Sequence, residues 1–333
     1  MAVTSVAGWE LEGYERVRER ALPVRALAGV WSFARRKPLG FACGIVLLVL
    51  VIIGDLFTFT INNALRLAGL ESDPIPYVAD LVAPYPYTQG VEHIRHGHRL
   101  QPTILGEGHV LGTDNQGRDV LSRIIYGSRV TVVIGFGAVA ISVVLSASIA
   151  IVSGYYMGWV DKIGQRVVDI FQSLPGLAVL ITVFGVFGRG WLELIVVIGI
   201  VVGVPGSRII RSQVLSVMAS PYVEAARTIG AGDWRIMTRY VLPNVMALII
   251  LAATFRLGSV VLLEATLSFL GFGVPPPFPS WGQMLSLDGR EFMRAAPGLA
   301  IFPGLAIGLA VFSFNLFGDA LRDVWDPRLR GSR

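Results

Sequence analysis

Residues 224–244 read EAARTIGAGDWRIMTRYVLPN and lie between two apolar stretches that are each long enough to cross a bilayer. Glu224, Arg227, Asp233, Arg235 and Arg239 keep the segment itself out of lipid, where ionised side chains are costly. Its order is too regular for a plain connector. Ser220-Pro221 predicts a helix start, with a side-chain acceptor followed by proline at the first helical position. Glu224, Ala225 and Ala226 belong to that helix, and two adjacent alanines leave room for another backbone to approach. Gly230-Ala231-Gly232 predicts a break, because glycine takes backbone angles that other residues avoid. Asp233 then caps a second helix running through Arg239, and Leu242-Pro243 turns the chain into the next span. The expected product is a short rigid element attached to two spans. The alternative is an ordinary amphipathic loop on the membrane surface.

Composition points the same way. Of 333 residues, 53% are hydrophobic and 15% charged, with a mean hydropathy of +0.64. A soluble domain has about a quarter charged residues, so that class is excluded. The net charge of +5 does not imply nucleic acid, since the basic residues flank apolar runs and form no single patch. The one cysteine, Cys43, lies in the first apolar run and permits neither an intramolecular disulfide nor a CxxC pair. That run begins at Leu39 behind a charged segment, which is not the layout of a cleavable signal peptide.

Six stretches have membrane-spanning length: 39–57, 130–154, 167–187, 191–210, 245–269 and 297–317. Backbone groups cannot stay unpaired in lipid, so each is expected to be a helix. Only Gly188, Arg189 and Gly190 separate the third from the fourth, which predicts a tight hairpin. Gly199 with Gly203, and Gly304 with Gly308, are small-xxx-small pairs suited to close helix contact. Pro175, Pro205 and Pro303 can bend spans three, four and six.

Lys and Arg set the orientation. With the N-terminus inside, 18 of the 28 fall on the inner side and nine outside, six of those nine in one long outer loop. Arg256 is left within a span. Both termini and the 211–244 loop are therefore expected in the cytoplasm. The expected organisation is a cytoplasmic segment 1–37, a first span 38–58, an outer loop 59–129, a five-helix core 130–320 holding the 211–244 loop, and a tail 321–333. Leu27, Val30, Trp31 and Ala34 share one helical face and predict an interfacial elbow helix ahead of the first span.

Residues 224–243 resemble the EAA loop of ATP-binding-cassette importer permeases: Glu-Ala-Ala, three residues, Gly, nine residues, Ile, any residue, Leu-Pro. Glu224, Ala225, Ala226, Gly230, Leu242 and Pro243 keep that spacing, and Tyr240 stands at the Ile position. Four further segments resemble the second-permease type of the dipeptide, oligopeptide and nickel transport family. They are Gly112-Thr113-Asp114 with Gly117-Arg118-Asp119, the stretch 154–161, the stretch 264–273 with 279–282, and 315–328. The match covers roughly residues 30–330, and the enlarged outer loop at about 60–105 departs from it.

The resemblance implies an all-α integral membrane protein with six transmembrane helices, the type I importer fold and a cytoplasmic coupling helix. It also implies location in the cytoplasmic (inner) cell membrane and import of di- or oligopeptides, with nickel or another small solute as the alternative. Its implied partners are a second related permease, two ATPase subunits, and an extracytoplasmic binding protein. Glu224, Ala225, Ala226, Arg227, Gly230, Leu242 and Pro243 would carry ATPase coupling. ATP and magnesium would sit on the ATPases. The chain has no GxxxxGK[ST] of its own, since Lys37 follows Arg36 and Lys162 follows Asp161.

Other residues leave two readings each. Asp114, Arg118 and Asp119 either lead amphipathically into the second span or contact the binding protein, with Arg118 and Asp119 as surface charges. Arg256 and Glu264 either pair inside the bundle or touch solute. His93, His96, His98 and His109 share the outer loop, and the first three either gather a divalent metal or are hydrated loop histidines. Since no carboxylate or cysteine completes a metal-ligand spacing, the second is expected. No HExxH occurs and no histidine lies in a span, which disfavours a membrane hydrolase. A stand-alone secondary transporter coupling ions through Arg256, Glu264 and Asp169 is the remaining rival.

Overall fold

The computed structural model describes residues 31, 33–35, 37–56, 58–60, 62, 77–88 and 108–325. Among them the chain is helical apart from turns and one isolated bridge, Thr113 to Asp119. In chain order the helices are α1 (Pro38–Ile53), α2 (Val78–Val82), α3 (Val120–Tyr156), α4 (Gly158–Ser173), α5 (Gly176–Phe187) and α6 (Trp191–Met218). They continue with α7 (Pro221–Thr228), α8 (Asp233–Ile236), α9 (Leu242–Phe269), α10 (Trp281–Met284) and α11 (Gly298–Trp325). Most of the elbow segment, residues 63–76 and 89–107 of the outer loop with His93, His96 and His98, and the tail 326–333 lie outside the described residues. Of the elbow face, Trp31 and Ala34 are described and helical.

Among the described residues, five helices are long and apolar enough to cross a membrane: Pro38–Thr60, Val120–Tyr156, Trp191–Met218, Asp233–Phe269 and Gly298–Asp323. The expected third span is instead two helices, α4 and α5, meeting at 87°, and the pair makes a sixth crossing if taken as one broken span. Pro175 explains the break, since it lacks an amide to continue the ladder and drives Leu174 to an extended ψ of 138°. The twelve residues of α5 reach only about 18 Å, short of a bilayer core.

Helix ends also differ from the apolar windows. The helix expected from residue 130 begins at Val120, because Asp119 caps it by accepting the Ser122 amide at 2.7 Å. Leu242-Pro243 does not redirect the chain either. A π-turn at Met237–Val241 joins α8 to α9, so Pro243 sits where its missing amide is absorbed by the wider register.

α3 and α6 form the central pair, with α9 laid against α3, α11 against α9, and α1 across α11. Contact between α3 and α6 needs residues without side chains. A Cβ at Gly203 would stand 2.9 Å from the Ser142 Cα, and one at Gly199 2.8 Å from the Ile141 Cβ. Gly304 and Gly308 do not repeat this, since their faces meet nothing within 4 Å among the described residues. Two buried clusters result. One fills the middle and the Trp281 end of the bundle, and the other joins the ends of α3, α6 and α9 to α7 and α8.

Candidate functional site

The 221–243 segment forms the helix–turn–helix expected, with different atoms holding it. Pro221 is the first residue of α7, but the Ser220 hydroxyl caps no amide and instead donates to the Ser216 carbonyl. Gly230 ends the helix at φ +81°, its amide donating to the Arg227 carbonyl at 2.9 Å and that of Ala231 to Ala226 at 3.0 Å. This paired closure is the Schellman arrangement, and it favours glycine at the left-handed position. The cap residue of α8 is Gly232, so Asp233 is its first helical residue rather than its cap.

The element has two faces. Val223, Ala226, Ile236 and Met237 are buried in the cluster made by the ends of α3, α6 and α9 or beside it. A fully buried valine contributes about 1.5–3 kcal/mol, so Val223 alone resists detachment. Glu224, Ala225, Arg227 and Gly230 are exposed. Of the two adjacent alanines, then, only Ala225 offers itself to an outside backbone, because Ala226 is turned inward. Ile229 and Trp234 stand 81% and 75% exposed, an apolar surface with no intramolecular use. Leu242 is half-buried and Pro243 exposed at the root of α9.

Tyr155, at the end of α3, joins the element to the bundle, a contact not expected from the sequence. Its hydroxyl donates to Asp233 at 2.7 Å and the Arg227 guanidinium lies 5.3 Å from its ring centre, so one side chain holds both α7 and α8. Arg227 is thus engaged within the chain while remaining exposed. The signal available was Tyr155 itself, inside the 154–161 stretch already singled out. α4 is fastened nearby: Arg211 grips Asp161 with contacts of 2.6 and 2.5 Å, and Arg208 bonds Asp169 and Gln172. Asp169 is therefore a partly exposed ion-pair partner.

At the opposite end of the bundle Asp119 is not the surface charge expected, and Asp114 is buried beside it. Asp114 is 1% exposed and accepts the amides of Gln116 and Arg118 at 2.8 and 2.9 Å, with the Arg118 and Arg123 guanidinium groups beside it. Asp119 is 2% exposed, capping α3 and bonded to His109 at 2.9 Å. Only Arg118 of the three keeps appreciable surface. Asp55 likewise accepts the Val78 and Ala79 amides at the start of α2 and pairs with Arg129 at 3.1 Å.

Arg256 and Glu264 are not a pair. Eight residues along one helix place them about 12 Å apart. Arg256 Nη1 donates to the hydroxyls of Ser142 and Ser146 at 3.0 and 2.8 Å. Glu264 is 1% exposed, accepts the Ser268 hydroxyl at 2.7 Å, and leaves Oε2 without a partner among the described residues.

Comparison with known proteins adds family information. A family model described as binding-protein-dependent transport system inner membrane component matches residues 120–331, beginning where α3 begins. A glutathione transport system permease protein, GsiD, from Pectobacterium atrosepticum is 39% identical over 67% of this chain and 73% of its own. A dipeptide transport system permease protein, DppC, from Alkalihalophilus pseudofirmus is 37% identical over 81% of this chain and 88% of its own. GsiD of Escherichia coli O1:K1 is 38% identical over 67% and 73%.

Proposed function

Because this chain belongs to the binding-protein-dependent transport system inner membrane components, we propose that it carries short peptides inward as one of two permeases driven by separate ATPases. It is a multi-pass membrane protein and a permease subunit of the peptide-transport family of ATP-binding-cassette importers. The relatives named for dipeptide and glutathione transport support peptide over nickel as solute. In this reading a second permease completes the path, an extracytoplasmic protein delivers the solute, and ATP and magnesium stay on two ATPase subunits. Both termini and α7 face the cytoplasm, consistent with the bias of Lys and Arg toward that side.

The observation that carries the reading is the two-faced α7–α8 element. Its inner face is fused to the ends of three long helices, and its outer face presents Ile229 and Trp234. A body seated on that outer face and moved by nucleotide has to move the helices with it. At the other end, the surface that Arg118 keeps beside Asp114 supports a contact with the binding protein there.

Cysteine at position 229 or 234 tests this directly, since the native Cys43 is buried. Cross-links to a co-purified ATPase subunit are expected, and labelling from outside intact cells by an impermeant thiol reagent would sink the orientation.

A further inference from the structure

Arg256 is the fifteenth of the 28 residues of α9, so neither end of the helix lies within reach of its side chain. Its partners are neutral: Nη1 is held by Ser142 and Ser146, and the Ser146 hydroxyl in turn donates to the Gly203 carbonyl at 2.6 Å. Helices α3, α6 and α9 thus converge on one guanidinium. No carboxylate among the described residues lies within ion-pair distance of it, and Glu264 is enclosed about 12 Å further along the helix.

Space for the group is built into the neighbouring helix. A Cβ at Gly206 would fall 1.8 Å from Nη2, so any larger residue there would push the guanidinium out of this position. Nε and Nη2 make no hydrogen bond among the described residues, and the side chain is half-buried rather than sealed. With Nη1 occupied, the edge left over is the Nε–Nη2 fork, the edge that matches a carboxylate with two parallel hydrogen bonds. The helix surface beside it carries Ala252 and the exposed Ser259. Small and polar residues there suit a wet path, and an arginine at mid-helix faces a water-filled cavity or the bundle interior in preference to lipid.

We propose that Arg256 receives the C-terminal carboxylate of the peptide during its passage. Ser142 and Ser146 are positioning residues that hold the guanidinium without neutralising it. The proposal rests on the peptide-import reading. It commits to the solute as the missing anion, in place of a carboxylate from the second permease.

The test uses the complete complex recovered with this chain and its binding protein, reconstituted in vesicles, with trialanine and trialanine amide as probes. Delivery by the binding protein is common to all variants, so the change in preference between variants isolates the permease. Wild type is expected to import the free acid in preference to the amide. Arg256→Gln should cut that preference about tenfold or more, since a hydrogen-bonded charge contact is lost. Arg256→Lys should give an intermediate value, keeping the charge without the fork. Gly206→Ala displaces Nη2 and should lower the preference with Arg256 intact, which carries the test if the Gln variant does not accumulate. Equal import of both probes by wild type, or an unchanged preference in the variants, overturns this proposal and leaves peptide import standing. Import of neither probe by wild type overturns both.

Discussion

The Tyr155 hydroxyl donates to the Asp233 carboxylate at 2.7 Å, joining the end of the 37-residue α3 to the far half of the α7–α8 element. The same ring carries Arg227 from the near half. Tyr155→Phe keeps the ring and removes one partly exposed hydrogen bond, a loss of about 0.5–1.5 kcal/mol. Insertion and assembly should persist. Because the lost bond ties the element to α3, more ATP should be consumed per solute imported. The ratio of hydrolysis to uptake in vesicles measures this, and an unchanged ratio assigns Tyr155 a packing role only.

Gly230 combines a positive φ of +81° with an amide that donates to Arg227. Gly230→Ala strains the left-handed position by about 1–2 kcal/mol. Gly230→Pro does more, fixing φ near −65° and deleting the donor. The alanine variant should lower uptake modestly and the proline variant severely, with both inserted normally. Membrane fractionation beside uptake distinguishes these effects, and full uptake by Gly230→Pro would show that the turn transmits nothing.

These two residues also show what the chain discloses in one dimension. Gly230 was legible because a turn is local: its neighbours in sequence are its partners in space. The Tyr155–Asp233 bond joins residues far apart in sequence, and no pattern within either segment announces it. Apolar length located the spans because lipid imposes a fixed thickness, but it missed where helices run on beyond lipid. The first ten residues of α3 are an instance, packed under the outer loop and anchored by Asp119. Pro175 made a bend in the third span legible, but neither the proline nor apolar content gives the 87° corner at which α4 and α5 meet. Asp119 reads in sequence as a surface charge, because composition cannot show that a loop folds back over its own acids.

Asp114 gives a prediction of the opposite kind. Four donors converge on its buried carboxylate, two of them guanidinium groups. Asp114→Ala should destabilise the outer cap by about 3 kcal/mol or more, because charged hydrogen bonds are lost inside a closed site. Arg118→Ala removes a partly exposed partner and should be milder. Thermal unfolding in detergent and accumulation in the membrane should rank the two in that order. A normal melting temperature for Asp114→Ala would mean that its role lies in contact with another protein.

The hold of α4 on α6 is electrostatic where it can be tested by exchange. α4 turns Trp159, Ile163, Val167 and Ile170 outward and meets α6 through Arg211–Asp161 and Arg208–Asp169. The Arg211 and Asp161 side chains are 25% and 18% exposed, between surface pairs worth little and enclosed ones costly to break. Arg211→Glu sets two carboxylates against each other and should release α4, raising amide exchange along 158–173 and lowering uptake. The double exchange Asp161→Arg with Arg211→Glu restores opposite charges across the same gap. It should recover most of the loss, with a coupling energy of about 1–2 kcal/mol in the cycle. High salt should weaken the pair only slightly, because partial burial limits screening. Failure of the exchanged pair to recover either protection or uptake would mean that Arg211 serves α4 through shape, with its charge incidental.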